Sequence, residues 1–184
     1  MFGLVEYYFD IETTGVEPIK DKIITIQWQR LNGFTGEPIG ELHILKEWES
    51  SEMEILKMFL PKIQCDNPWD FIIIGKNLLF DFNFLDKRSK KYGLGGFDLA
   101  YCHHRVFLDL KHILVLINKN NFRGYDRVLD VSGALANVDV PQLYKEKKYP
   151  EIIEYIKKET EVFLKALKIL KSEMPALQNR FENS

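Results

Sequence analysis

The most constraining feature of this sequence is an apolar stretch near its N-terminus that ends in two acids. Residues 4–15, Leu-Val-Glu-Tyr-Tyr-Phe-Asp-Ile-Glu-Thr-Thr-Gly, are rich in β-branched and aromatic side chains, which predicts a β-strand. Side chains two positions apart share one face of a strand, so Asp10 and Glu12 project together while Ile11 points to the opposite side. Close carboxylates repel unless a proton or cation lies between them, and Mg²⁺ and Mn²⁺ favour such oxygen ligands. The alternative is an edge strand with two solvated acids.

The segments that follow predict an α/β fold built on a mixed sheet. Two β-branched segments separated by Gly and Pro turn signals predict an antiparallel meander with the first strand. A short apolar run then predicts a buried parallel strand. In chain order, the predicted elements after the first strand are strands at 22–31 and 39–46, a helix from 52 to about 63, strands at 69–74 and 105–110, and helices at 111–117, 127–137 and 150 to about 172.

A further candidate acid follows the strand predicted at 69–74. Gly75 ends the apolar run, Asn77 is a favourable helix N-cap, and Asp81 falls on the first turns of the helix that follows. We therefore expect this carboxylate near the strand end that carries the first two acids. A plain strand-to-helix turn with a solvated Asp81 is the alternative.

The last helical pattern carries a polar pair on its otherwise apolar face. Tyr155 and Glu159 stand four residues apart, so both project from the same side of the helix. The alternative for Glu159 is a solvated helix acid.

These three segments resemble the sequence motifs of the DEDD 3′–5′ exonucleases, which have a ribonuclease H-like fold. Residues 9–15 resemble the first motif, residues 75–85 the second, and the Tyr155–Glu159 pair the Tyr variant of the third, Tyr-x-x-x-Asp. The pattern is most similar to the exonuclease domain of family B DNA polymerases. It departs from the family at Glu159, where Asp is usual. Tyr125 with Asp130 is a rival for the third motif, but its spacing is five.

The resemblance implies a central five-stranded sheet flanked by helices and a metal-dependent 3′–5′ exonuclease activity. The expected product is a nucleoside 5′-monophosphate released from a single-stranded or frayed 3′ end of DNA or RNA. Two Mg²⁺ or Mn²⁺ ions are implied, held by the carboxylates of Asp10, Glu12, Asp81 and Glu159. Tyr155 would orient the attacking water. The implied contacts to the terminal nucleotide come from Thr13, Thr14, Asn77 and Phe80.

The basic residues and the histidines do not indicate a specific functional site. Lys87, Arg88, Lys90 and Lys91 are expected on the exposed side of their helix, either as a solvated face or as phosphate contacts. The adjacent His103 and His104 are expected to have a surface or partly buried role. Asp109 ends the fifth predicted strand and receives no metal.

Composition favours one soluble domain spanning residues 1–184, with a frayed tail at 175–184. A net charge of −2 argues against a protein that coats nucleic acid by electrostatics alone. No signal peptide or membrane span is visible, and Cys65 and Cys102 are expected to be free thiols, so we expect a cytoplasmic location. No polymerase or helicase segment is visible, so we expect a stand-alone enzyme that relies on a polymerase or DNA repair partner for processive work.

The competing function is a nucleic-acid-binding or partner-binding module that keeps the exonuclease fold with a weak or inactive metal site. Glu159 in place of the usual Asp is the feature that favours this alternative.

Overall fold

The computed structural model of the chain describes residues 5–64, 67, 69–96, 105–121, 129 and 138–182, with side chains through residue 173. The strands are β1 Glu6–Thr13, β2 Ile23–Leu31, β3 Pro38–Lys46, β4 Ile72–Gly75 and β5 Phe107–Asp109. The helices are α1 Glu52–Ile63, α2 Leu78–Lys91, α3 Leu110–Ile117, α4 Val140–Lys145 and α5 Tyr149–Glu182, and a short 3₁₀ turn spans Glu47–Glu49. No described helix is both long enough and apolar enough to cross a membrane.

The strands form one sheet in the order β3-β2-β1-β4-β5. Strands β1, β2 and β3 pair antiparallel, whereas β4 pairs parallel with both β1 and β5. The mixed five-stranded sheet predicted from the sequence is therefore confirmed. Because β1, β4 and β5 run in the same direction, their carboxyl ends meet at one edge of the sheet.

Strand β1 is central and contributes to a hydrophobic core on each face of the sheet. Phe9 and Ile11 are buried with side chains of α1 and α2. Tyr8 is buried on the other face, where its ring lies 4.8 Å from that of Phe163 on α5. Asp10 lies on the Tyr8 face because side chains alternate along a strand. Helix α5 thus covers the face to which the β1 acids point.

The last helix is longer than the sequence predicts. The sequence pattern predicts an end near Ser172, but the backbone of α5 remains helical to Glu182. Pro175 favoured an earlier helix end in the sequence prediction, because proline lacks the N–H of an intrahelical hydrogen bond. Helix α1 likewise contains Pro61 in its interior. In both helices the helical backbone continues past the proline.

A buried ion pair joins α1 to α2 and corrects the prediction for Arg88. The Arg88 guanidinium donates to both carboxylate oxygens of Glu52, at 2.7 and 2.6 Å, and the two side chains are 3% and 2% exposed. Glu52 also accepts from the Ile23 backbone N–H at 2.8 Å and from the Tyr92 hydroxyl at 2.8 Å. Arg88 is therefore a structural residue, whereas Lys87, Lys90 and Lys91 are exposed as expected.

Several sequence predictions fall outside the described residues. These are the helix at 127–137, the pair Tyr125 and Asp130, the histidines His103 and His104, and the cysteines Cys65 and Cys102.

We predict that Arg88→Met lowers the free energy of unfolding by about 3 kcal/mol, because it leaves the Glu52 carboxylate buried without its cation. Lys87→Met, on the exposed side of the same helix, should change it by less than about 0.5 kcal/mol. Urea unfolding followed by circular dichroism measures both values. Equal effects from the two substitutions would contradict a structural role for the pair.

Candidate active site

Carboxylates from β1 and α5 converge at the carboxyl edge of the sheet. Asp10 and Glu12 project from the same face of β1, and Glu159 projects toward them from α5. Each offers one oxygen, and these oxygens lie within 4.8 Å of one another. All three side chains are half-buried. The structure thus brings together three of the four acids that the sequence singles out as ligands.

The fourth acid, Asp81, lies beside this group in the first turn of α2. It is only 2% exposed, and its Oδ1 accepts a hydrogen bond from the Ile11 backbone N–H at 3.2 Å. Burial, followed by the charge of Asp10, raises the pKa of Asp81. Burial is also the largest cause of the raised pKa of Glu12, to which the charge of Asp81 adds after those of Asp10 and Glu159. Asp81 is therefore electrostatically part of the site, although one of its oxygens is held by the backbone of β1.

Burial and mutual repulsion shift Asp10 and Glu12 toward their protonated forms. Burial, followed by the charge of Glu159, raises the pKa of Asp10 to about 8. Burial and the charge of Asp10 raise the pKa of Glu12 well above its ordinary value. Gln27 opposes the shift at Asp10 by donating to its Oδ2 at 3.1 Å. In the metal-free protein near neutral pH, protons bound to these acids relieve part of the repulsion.

This donor set fits a hard divalent cation. The converging groups are all carboxylates, which Mg²⁺ and Mn²⁺ favour over the nitrogen and sulfur ligands typical of zinc sites. The raised pKa values of Asp10 and Glu12 reflect burial and repulsion, so a positive charge between the carboxylates is favourable. Asp10, Glu12 and Glu159 are the residues placed to hold such an ion, with Asp81 adjacent.

Tyr155 lies one turn before Glu159 on the same side of α5. Burial, and then the neighbouring charges of Glu159 and Glu12, raise the pKa of the Tyr155 phenol far above its ordinary value. The hydroxyl therefore keeps its proton at neutral pH. Tyr155 can donate a hydrogen bond at this site but is poorly suited to accept a proton as a base.

The sequence predicts the N-cap position of α2 at Asn77 correctly, but the Asn77 side chain is not the group that caps the helix. Asn77 occupies the N-cap position of α2, but its backbone is left-handed, with φ 64°, and its side chain does not cap the helix. The carboxylate of Asp109 instead accepts from the backbone N–H groups of Asn77 and Leu78, at 2.8 and 2.9 Å. Asp109 ends β5, the strand beside β4, and this adjacency is the signal that sequence reasoning missed.

The other residues predicted to contact the nucleotide are Thr13, Thr14 and Phe80. Thr13 donates to the Gly15 carbonyl at 2.6 Å, and the Thr14 hydroxyl accepts from the Lys22 backbone N–H at 3.1 Å. Both hydroxyls thus stabilise the turn after β1. Phe80 is half-buried, with its ring 4.9 Å from that of Phe84.

A cavity of about 280 Å³ opens beside the acids. Its lining is Tyr8, Asp10, Lys76, Asn77, Lys111, Glu159 and Phe163. Sequence reasoning missed Tyr8, whose hydroxyl donates to the Oδ2 of Asp10 at 3.5 Å. Its position two residues before Asp10 in the strand was an available signal, since both side chains share a face.

We predict that the metal-free protein loses stability as the pH rises through the pKa of Asp10. An acid whose pKa is higher in the folded than in the unfolded chain stabilises the fold fully below about pH 4, and that contribution is lost progressively as the pH rises from about 4 to about 8. Chemical denaturation between about pH 5 and pH 9 should show this loss, and it should be smaller in Asp10→Asn.

Millimolar Mg²⁺ or Mn²⁺ should raise the midpoint of thermal unfolding of the native chain at about pH 8, and less so that of Asp10→Asn. The matched control is Glu41→Gln, which removes an exposed carboxylate on β3. Identical pH and metal responses in Asp10→Asn and the native chain would contradict the site.

Comparison with known proteins identifies the family of this chain. The RNase_H superfamily model matches residues 7–139. DNA polymerase III PolC-type of Lacticaseibacillus paracasei is 29% identical over 109 residues, covering 49% of this chain and 7% of the polymerase. Crystalline E. coli exonuclease I in complex with a dT13 oligonucleotide has a TM-score of 0.65 at 12% identity, covering 97% of this chain and 43% of that one.

A complex of exonuclease I with SSB-Ct gives a TM-score of 0.59 at 13% identity, covering 97% of this chain and 43% of that chain. The chain thus spans less than half the length of each of these proteins. The structural similarity to exonuclease I shows a shared fold. Since the family match covers most of its length, the chain belongs to the ribonuclease H superfamily.

Proposed function

We propose that this protein is a metal-dependent 3′–5′ exonuclease that removes nucleoside 5′-monophosphates from single-stranded or frayed 3′ ends of DNA or RNA. The observation that carries the proposal is the convergence of Asp10, Glu12 and Glu159 within 4.8 Å, with Asp81 beside them. The fold similarity to exonuclease I, which was crystallised with a dT13 oligonucleotide, supports a single-stranded substrate.

The four acids would hold two Mg²⁺ or Mn²⁺ ions. Bound divalent ions supply Lewis-acid stabilisation of the phosphoryl group and a lowered pKa for the attacking water. Asp81 is fixed in place by the Ile11 amide, and Glu12 shares its face of β1 with Asp10. Tyr155 keeps its hydroxyl proton, so its role would be to orient the attacking water by a hydrogen bond.

The depth of the site favours a single strand. Asp10 lies beneath α5 and is half-buried, so the end of a duplex would have to fray before its last phosphodiester reached the acids. Asn77 lines the cavity beside Asp10, which supports a contact with the terminal nucleotide. We propose that Thr13 and Thr14 shape the turn against which this nucleotide rests, and that the half-buried ring of Phe80 contacts it from α2.

We predict that the purified chain shortens a 5′-labelled oligonucleotide from its 3′ end. The assay uses single-stranded DNA and a matching RNA with Mg²⁺, Mn²⁺ or EDTA, and it resolves the products on a sequencing gel. A metal-dependent ladder should appear, and it should be absent with Asp10→Ala, because that substitution removes a carboxylate from the cluster.

The relative rates on the two strands identify the preferred substrate class, and activity of the chain by itself tests whether it works without a partner. Activity that survives in Asp10→Ala would point to a contaminating nuclease. No ladder with either metal, from folded protein, would contradict the exonuclease proposal.

The second candidate is a binding module with an inactive metal site. The observation that favours it is Glu159, where the family usually has Asp. The longer side chain still brings its oxygen within 4.8 Å of those of Asp10 and Glu12, which supports a ligand role and favours the enzyme.

We predict that Glu159→Gln lowers the rate of hydrolysis about 100-fold or more, because it removes a negative charge from the cluster at nearly constant side-chain volume. Glu161→Gln is the matched control, since Glu161 is exposed on the same helix. Initial rates at saturating substrate and metal measure both. Unchanged activity in Glu159→Gln would remove Glu159 from the ligand set, and binding without hydrolysis by the native chain would favour the module.

A further inference from the structure

The cavity beside the acids has two lysines on its wall that the proposed ligand set does not use. Lys76 lies in the turn between β4 and α2, and Lys111 lies in the first turn of α3. Both line the same cavity as Asp10 and Glu159. The cavity therefore presents positive charge directly beside the proposed metal ligands.

A buried carboxylate holds these lysines in position. Asp109, which is 5% exposed, accepts from the backbone N–H groups of Asn77 and Leu78 on one side and of Lys111 on the other, the last at 2.9 Å. The Lys111 ammonium donates to the Asn77 side-chain oxygen at 2.7 Å. The turn that carries Lys76 is thus fixed to the start of α3, so the cationic wall is built by the fold.

The remaining walls limit the size of the ligand. Tyr8 and Phe163, each 2% exposed, complete the lining beside the lysines with their rings 4.8 Å apart. The volume, about 280 Å³, lies just below the range of about 300–1,000 Å³ for small-ligand pockets, which limits the ligand to a small group such as one nucleotide. Lysine ammonium groups are strong donors to phosphate oxygens.

We propose that Lys76 and Lys111 bind a phosphate oxyanion of the nucleotide whose bond is cleaved at the adjacent acids. This inference rests on the proposed exonuclease function. The oxyanion belongs either to a phosphodiester of the bound strand or to the released nucleoside monophosphate, since the two present the same chemistry to an ammonium group. The competing role is electrostatic neutralisation of Asp10, which Lys76 is close enough to influence.

The experiment compares Lys76→Gln and Lys111→Gln with Lys57→Gln, which removes an exposed lysine on α1. Fluorescence anisotropy with a labelled oligothymidylate, in the Asp10→Asn background at fixed Mg²⁺, measures affinity as a function of KCl concentration. Displacement of that oligonucleotide by thymidine 5′-monophosphate forms the second arm. Circular dichroism verifies that each variant is folded, and steady-state cleavage is measured with each lysine substitution in the native background.

Each cavity substitution should weaken binding about tenfold and lower the slope of log affinity against log salt by about 0.7, the change expected when one phosphate contact to a single strand is lost. Lys57→Gln should leave the slope unchanged. A loss confined to the oligonucleotide assigns the oxyanion to a phosphodiester, and a loss confined to the monophosphate assigns it to the product.

An unchanged salt slope and unchanged monophosphate displacement in either cavity variant would overturn the inference. An altered Mg²⁺ requirement for cleavage without those losses would also overturn it, because it would indicate neutralisation of Asp10. If the native chain cleaves while the lysine variants bind normally, only this inference fails. If the native chain neither binds nor cleaves, the proposed function fails with it.

Discussion

Repulsion among buried carboxylates is the constraint that the rest of this structure has to overcome. Asp10, Glu12 and Glu159 approach within 4.8 Å, an arrangement that is unfavourable without a proton or a cation between them. The hydrophobic cores hold them together. Burial of one large apolar side chain, such as Phe163 or Leu167 of α5, contributes about 1.5–3 kcal/mol. Helix α5 presents a row of such side chains to the sheet and thereby keeps Glu159 over β1.

The features that the sequence predicts correctly are those with strong local periodicity. Alternation along β1 separates Phe9 and Ile11 from Asp10 and Glu12, and the structure places these two pairs on opposite faces of the sheet. The four-residue spacing on α5 likewise brings Tyr155 and Glu159 to one side. In each case a fixed geometric repeat converts spacing into direction. The meeting of Glu159 with Asp10 and Glu12 was expected only from the family resemblance, because it depends on how α5 packs against β1.

The features that sequence reasoning missed depend on residues far apart in the chain. Asp109 holds the Asn77 turn from 32 positions away, and Arg88 is buried because Glu52, 36 positions away, pairs with it. From the local sequence alone, Arg88 is one basic residue among lysines and Asn77 is an Asn ahead of a helix. Neither role can be assigned from the local sequence, because each depends on a partner side chain. That partner comes close only when α1 packs against α2 or when β5 pairs with β4.

Glu159 in place of the usual Asp adds a cost in side-chain conformational entropy, but it does not prevent the carboxylate from reaching the other acids. Asp81 is held by the Ile11 amide, whereas Glu159 carries one more rotatable bond than the usual Asp. Fixing that bond costs on the order of 0.5 kcal/mol. Burial, followed by the charge of Glu159, raises the pKa of Asp10 to about 8, and each pKa unit corresponds to about 1.4 kcal/mol. A cation between the acids would offset both the burial and the repulsion. The extra methylene is thus the smaller effect, and Glu159 remains compatible with the proposed ligand role.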